Sequence, residues 1–138
     1  MFYGTYEHVL DNKNRLMMPV KLRLLLGDKI YLMKGFDGCV SVFDSASYEK
    51  MVTKLEELSF NKSKSRAYVR TILSSTVEIE IDNLGRITLP TYIVNKYEIS
   101  KELTVIGAGD HIEIWNRNKW IEYSTNNEEN FDIEAEEI

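Results

Sequence analysis

The stretch Asp11-Asn12-Lys13-Asn14-Arg15-Leu16-Met17-Met18-Pro19 returns later in the chain as Asp82-Asn83-Leu84-Gly85-Arg86-Ile87-Thr88-Leu89-Pro90. Asp, Asn, Arg and Pro recur at a constant spacing of 71. Farther on, at a spacing of 72, Gly35 aligns with Gly107, Phe43 with Trp115 and Tyr48 with Trp120. A one-residue insertion in the second copy accounts for the change. An internal duplication therefore organises this chain, and a repeat decides an architecture before any single element does.

Both copies read alike. Thr76–Ile81 alternates, with Val77, Ile79 and Ile81 on one face and Glu78 and Glu80 on the other, the pattern of a half-buried strand. The Asp-Asn-x-Gly/Asn-Arg stretch is a turn, where Gly85 tolerates positive φ and Asn14 is the commonest non-glycine substitute. Short strands follow at Arg15–Met18 and Arg86–Leu89. The prolines then suit the first turn of helices over about Val20–Leu26 and Thr91–Tyr97, with Gly27 as a stop for the first. A hairpin closes each copy: Lys29–Lys34 with Cys39–Phe43, and Leu103–Ile106 with Ile112–Trp115. The repeats are bounded at residues 5–49 and 76–122, with a helical connection over 50–75. Into and along that connection Tyr48, Met51, Val52, Leu55 and Leu58 keep helical spacing, as do Tyr68, Val69, Ile72 and Leu73. A copy of about 45 residues buries too little to stand alone. Two copies in one chain are expected to pair about a pseudo-two-fold axis and share a core.

Composition limits the function classes. The 138 residues are 43% hydrophobic and 28% charged, the balance of a globular domain. The N-terminus has no basic and apolar export pattern, so the expected compartment is the cytoplasm. One cysteine, Cys39, and two histidines exclude internal disulfides and multi-Cys or His-rich metal sites. Cys39 and His111 occupy matched positions, which a two-fold brings together only on its axis, so they read as structural. Gly107-Ala108-Gly109 lacks the third glycine and the helix of a dinucleotide fingerprint. No Walker motif or nucleophile elbow is present. The expectation is no enzyme, no cofactor and no metal. Net charge is −5, and the segment 126–138 holds six acids and no base; without those six, residues 1–125 stand at +1. The acidic segment is expected to be disordered.

The doubled Asp-x-x-x-Arg, with Pro closing the following short strand, resembles the MraZ family, tandem relatives of the AbrB-like swapped-hairpin domains. Asp11, Arg15 and Pro19 carry the likeness in the first copy, and Asp82, Gly85, Arg86 and Pro90 in the second. Ile112-Glu113-Ile114-Trp115 and Trp120 match the end of the repeat. The resemblance covers about residues 2–123. Asn14 departs from it, standing where the family usually has glycine. It implies a mostly β, α+β fold with short helices, two swapped-hairpin repeats forming one barrel-like domain. It also implies a nucleoid-associated regulator of the cell-division and cell-wall gene cluster, assembled as a ring and bound to short direct repeats in double-stranded DNA.

The candidate DNA-binding residues are Asp11, Lys13, Asn14, Arg15, Asp82, Asn83 and Arg86, with Lys21 and Arg23 as phosphate contacts. Turn chemistry alone explains the aspartates and asparagines, which bond their own backbone. It does not explain an arginine at the same place in both copies. An arginine held by an aspartate four residues away is suited to read guanine O6 and N7. Lys13 faces Leu84 in the alignment, so the two loops are not equivalent. The bases Lys62, Lys64, Arg66 and Arg70 are read either as a phosphate-binding patch, as a plain helix surface, or as a surface meeting acids of a neighbouring subunit. Two other functions compete with gene regulation: an antitoxin-like DNA binder whose acidic segment holds a partner protein, and a ring-shaped scaffold with no DNA role.

Overall fold

The doubled motif becomes two short strands that pair with each other. In the computed structural model, which describes residues 1–138, β2 (Arg15–Met17) and β6 (Arg86–Thr88) form an antiparallel ribbon. Its register is Arg15↔Thr88, Leu16↔Ile87, Met17↔Arg86. Leu16 and Ile87 are equivalent residues of the two copies, they face each other, and both are fully buried. Two equivalent residues can pair in this way only on the axis that exchanges the copies. A second such point lies between β4 (Val40–Asp44) and β8 (Ile112–Asn116), where Val40↔Ile114 and Val42↔Ile112 flank Ser41↔Glu113. The two pairs fix the pseudo-two-fold axis expected from the repeat.

The main sheet obeys the same symmetry. Its order is β1-β7-β8-β4-β3-β5, with β1 (Thr5–Val9), β3 (Lys29–Lys34), β5 (Val77–Glu80) and β7 (Glu102–Gly107) completing it. Exchanging the copies reverses this order onto itself. The first strand of each copy pairs with the hairpin of the other, β1 on β7 and β5 on β3. Each copy thus satisfies part of its backbone hydrogen bonding with its sibling, which is why neither half is a domain by itself. The sheet stays open, with β1 and β5 as edges, because β2 and β6 bond each other instead of bridging those edges. The fold is α+β but not a closed barrel, and more residues lie in helices than in strands.

Register also corrects the alignment of the copies. Ile30↔Asp44 in the first hairpin corresponds to Leu103↔Asn116 in the second, offsets of 73 and 72. The second copy therefore carries two extra residues before β7 and one fewer in the hairpin turn. Gly107, paired with Ile112, stands in the place of Lys34, paired with Val40, and is not the counterpart of Gly35.

Helices α1 (Val20–Leu26) and α4 (Thr91–Lys96) follow Pro19 and Pro90 as expected. Gly27 ends α1 at φ 77, and Glu98 takes positive φ, 53, at the equivalent place. Between these helices, the ribbon and the inner face of the sheet lies the core. Leu16, Met18, Leu22, Leu32 and Val42 meet Ile87, Leu89, Ile93, Val105 and Ile114 in one cluster, each burial contributing roughly 1.5–3 kcal/mol.

The division of the chain changes as well. Asp44 caps α2 (Ser45–Glu56) by accepting the Ser47 N–H at 3.0 Å, and Asn116 caps α5 (Arg117–Glu129) by accepting that of Lys119 at 3.1 Å. Both cap pairs are 72 apart. With α3 (Ser63–Ser74) and α6 (Phe131–Glu137), each copy is ββαββαα. The segment 50–75 belongs to the first copy and is no mere connection. The acidic segment 126–138 is helical, not disordered. Glutamate is a good helix former, and since neither α5 nor α6 buries a residue, its charges stay solvated. Outside the sheet, Leu55 and Ile72 of α2 and α3 pack on Met33 and Phe43.

Candidate nucleic-acid interface

Each motif turn is built by its own aspartate. Asp11 Oδ1 accepts the backbone N–H of Lys13 (2.9 Å) and of Arg15 (2.8 Å), while Oδ2 accepts Arg15 Nε (2.6 Å). Asp82 does the same with Leu84 (2.9 Å), Arg86 (2.8 Å) and Arg86 Nε (2.8 Å). The N–H of each arginine, followed by its guanidinium, holds the neighbouring carboxyl below the usual carboxylate range. Both carboxylates are therefore charged at neutral pH and fix the arginines through Nε. That leaves the two Nη groups of Arg15 and of Arg86 with no partner in the protein, presenting the end of the guanidinium as a free fork.

The ribbon register decides where these forks point. Side chains alternate across a strand, and Leu16 and Ile87 enter the core. Arg15, Met17, Arg86 and Thr88 consequently share the outward face, with the arginines at opposite corners of the ribbon. The arginine side chains are about a third exposed, at 30% and 26%. Asp11, Asn12, Lys13, Asp82, Asn83 and Leu84 are exposed around them, and Asn14 is half-buried. The structure thus brings together on one surface the seven motif residues singled out in the sequence. It adds Met17 and Thr88, which sequence reading missed; strand alternation counted outward from Leu16 and Ile87 would have found them.

Lys21 is exposed on α1. Arg23, expected as a phosphate contact, lies across the second loop. Its Nη1 donates to the Leu84 carbonyl at 3.1 Å and touches Met17 Sδ at 3.9 Å. It fills the space that a side chain at Gly85 would need: an added Cβ would overlap Nη1 and lie 2.6 Å from the Arg23 Cδ and Cζ. Gly85 has φ +83, so it is glycine for two reasons. The counterpart of Arg23 in the second copy is Val94, which reaches no loop carbonyl. An open hollow lies there beside Asn14 and Val94, and Asn14 keeps φ 58 with room for its side chain.

The other pole of the axis is closed. Glu113 accepts His111 Nε2 and Trp115 Nε1, both at 3.0 Å, and His111 Nδ1 lies 2.8 Å from Asp110. The Glu113 contact, backed by Asp110, raises the His111 pKa. Phe43 stacks on His111 and Cys39 packs with Trp115. Cys39 and His111 are thus symmetry mates set diagonally rather than a pair. Burial pushes the Cys39 thiol far above its usual range, so it carries no thiolate chemistry. No three His, Cys, Asp or Glu side chains are grouped to hold a metal ion, and no helix is long and apolar enough to cross a membrane.

A tandem α+β domain with interlaced hairpins, showing two aspartate-clamped arginines on one ribbon, is the class that fold and surface define. The chain matches the family described as "MraZ protein, putative antitoxin-like" twice, over residues 1–71 and 72–138, a division that falls in the last turn of α3, close to where one ββαββαα copy ends and the next begins. It is 39% identical over 135 residues to the Transcriptional regulator MraZ of Clostridium acetobutylicum, covering 98% of this chain and 93% of that one. The proteins of the same name from Heliobacterium modesticaldum and Ligilactobacillus salivarius are 36% and 37% identical over 138 residues, 100% of this chain and 96% of theirs. The protein belongs to the MraZ family.

Proposed function

We propose that the protein is a sequence-specific DNA-binding regulator of transcription, whose outward ribbon enters the major groove. The observation that carries this reading is the pair of free guanidinium forks on one face, each held by a carboxylate through Nε. An arginine so oriented donates two parallel hydrogen bonds to guanine. Lys13 and Lys21 add phosphate contacts and salt-sensitive affinity. The chemistry is recognition, with no bond broken and no cofactor. One ribbon makes few contacts, so binding is strong only when several copies engage together. Copies set head-to-tail in a ring would meet direct repeats spaced by about one turn, ~34–36 Å. The family resemblance makes the promoter of the cell-division and cell-wall cluster the target, at the cytoplasmic nucleoid.

The test is a gel shift at fixed salt on random-selected and native upstream DNA. Arg15→Ala should weaken binding by ~1–3 kcal/mol for each guanine lost. If an Arg15→Ala, Arg86→Ala variant of unchanged assembly bound as well as the parent, the ribbon would not be the reading surface.

A further inference from the structure

On the outer face of the sheet, where α2 and α3 cover β3 and β4, a cavity of about 110 Å³ remains. Met33, Phe43, Met51 and Ile72 wall it, and the exposed rings of Phe36 and Tyr68 mark its mouth. Its floor is polar. Ser41 lies there between its cross-strand neighbours Met33 and Glu113, and Glu113 and His111 bring the second copy to the same cavity.

Ser41 is only 7% exposed, and buried hydroxyls are ordinarily paired. The side-chain hydrogen bonds around it run elsewhere. Cys39 Sγ donates to the Phe36 carbonyl, and His111 and Trp115 bond Glu113, leaving Ser41 Oγ without a partner in the protein. Thr104 Oγ1 is also unpartnered, but it is sealed from solvent, whereas Ser41 opens on the cavity.

The repeat shows that the fold does not require this space. By register and by the matched helix caps, the counterparts of Met33, Phe43 and Met51 are Ile106, Trp115 and Tyr123. There Cys39, Ile106 and Trp115 pack in one cluster, and the rings of Trp120 and Tyr123 lie 5.2 and 4.9 Å from that of Trp115. Phenylalanine and methionine in place of tryptophan and tyrosine leave the volume open in the first copy.

Size and polarity select a ligand. An engineered apolar cavity of about 150 Å³ takes up benzene, so this one suits a single ring, with any further chain leaving by the mouth. Each Glu113 oxygen accepts one N–H, from His111 or from Trp115, and keeps a lone pair free, while a serine hydroxyl both donates and accepts. The floor thus offers acceptors to a ligand O–H. A carboxylate would instead face Glu113, and Lys34 at the rim does not offset it, its ammonium standing over the Tyr97 ring at 5.9 Å.

We infer that this cavity is a binding site for a small aromatic alcohol, its ring between Met33, Phe43, Met51 and Ile72 and its hydroxyl on Ser41 Oγ and Glu113. The sheet separates the site from the ribbon, so the inference does not depend on the DNA reading.

The test is a titration of the full-length protein with phenol, toluene and benzoate, followed by NMR of isotope-labelled methionine methyl groups. Phenol should shift Met33 and Met51 saturably and leave the exposed Met1 and Met17 in place. Toluene, which lacks the hydroxyl, should bind more weakly, and benzoate should not bind. Ser41→Ala should weaken phenol about five- to tenfold, the loss of one hydrogen bond, without weakening toluene. Met51→Tyr, which sets the residue of the second copy in the cavity, should abolish both, read at Met33. Melting profiles check that the variants fold, and Ser41→Ala decides alone if Met51→Tyr does not. The inference is overturned by the absence of a saturable phenol shift or by benzoate binding as tightly as phenol. It is overturned equally by a Ser41→Ala protein that keeps the parent's phenol affinity or loses phenol and toluene alike.

Discussion

Replacing Gly85 by asparagine, the residue at the equivalent Asn14, isolates what Arg23 does. Two effects act on the folded state. A side chain at φ +83 meets left-handed strain of roughly 1 kcal/mol, least for asparagine. Its Cβ also overlaps the Arg23 guanidinium. That end of Arg23 is flexible, so the clash is relieved by swinging it away, at the loss of the 3.1 Å bond to the Leu84 carbonyl, worth about 1 kcal/mol in a partly exposed place. Gly85→Asn should thus destabilise by about 2 kcal/mol. With Arg23→Val, the second loop acquires the arrangement that Val94 gives the first, and Gly85→Asn should then cost only the strain, about 1 kcal/mol. Urea unfolding of the four proteins closes the cycle, with an expected coupling of about 1 kcal/mol. Additivity of the two substitutions within a few tenths of a kcal/mol would show that Arg23 does not occupy the Gly85 space in solution.

Removing the aspartate clamp separates charge from orientation: Asp11→Ala makes the first loop more positive, yet should reduce discrimination between target and random DNA in competition gel shifts. Lys13→Ala should lower the slope of log binding constant against log salt by about 1, whereas Leu84→Ala leaves it unchanged. Stability should depend on pH through His111 and Glu113. The His111 pKa is raised in the fold, so its contribution is full below the unfolded value of about 6.5 and is lost as pH rises through the folded one. Burial acts to raise the Glu113 pKa, but the His111 and Trp115 N–H groups outweigh it and the net shift is downward. Its contribution is therefore present above about 4.5 and lost as pH falls through the lower folded value. Melting temperature should be highest between these limits, and His111→Gln should flatten the alkaline side.

The parts legible from sequence were those set by local chemistry. Aspartate turns, prolines at helix starts and alternating strands gave α1 to the residue and the hairpins within one or two. The constant spacing of Asp, Arg and Pro gave the axis. What escaped were effects of distance. No local pattern marks the bond from Arg23 to the Leu84 carbonyl, 61 residues away. The two extra residues before β7 and the missing one in its hairpin nearly cancel, so a single insertion seemed enough. The helical end is hidden in the sequence because a run of acids resembles a solvated, unpacked tail; its one local signal is the Asn116 cap, 72 residues after Asp44. The candidate residues follow from the repeated motif, while the face they share emerges only from the Leu16↔Ile87 register.

The residues on the axis tell something about kinship and direction. A true homodimer must set each axial residue against itself, and a glutamate there would face a glutamate. Here Ser41 faces Glu113, so the carboxylate is free to hold His111 and Trp115. That departure from sameness is closed to a homodimer and open to sibling halves fused in one polypeptide. Fusion likewise lets one loop keep a lysine and the other a leucine. Such a molecule has a front and a back: the two ends of its ribbon carry different loops, one with Lys13 and one with Leu84.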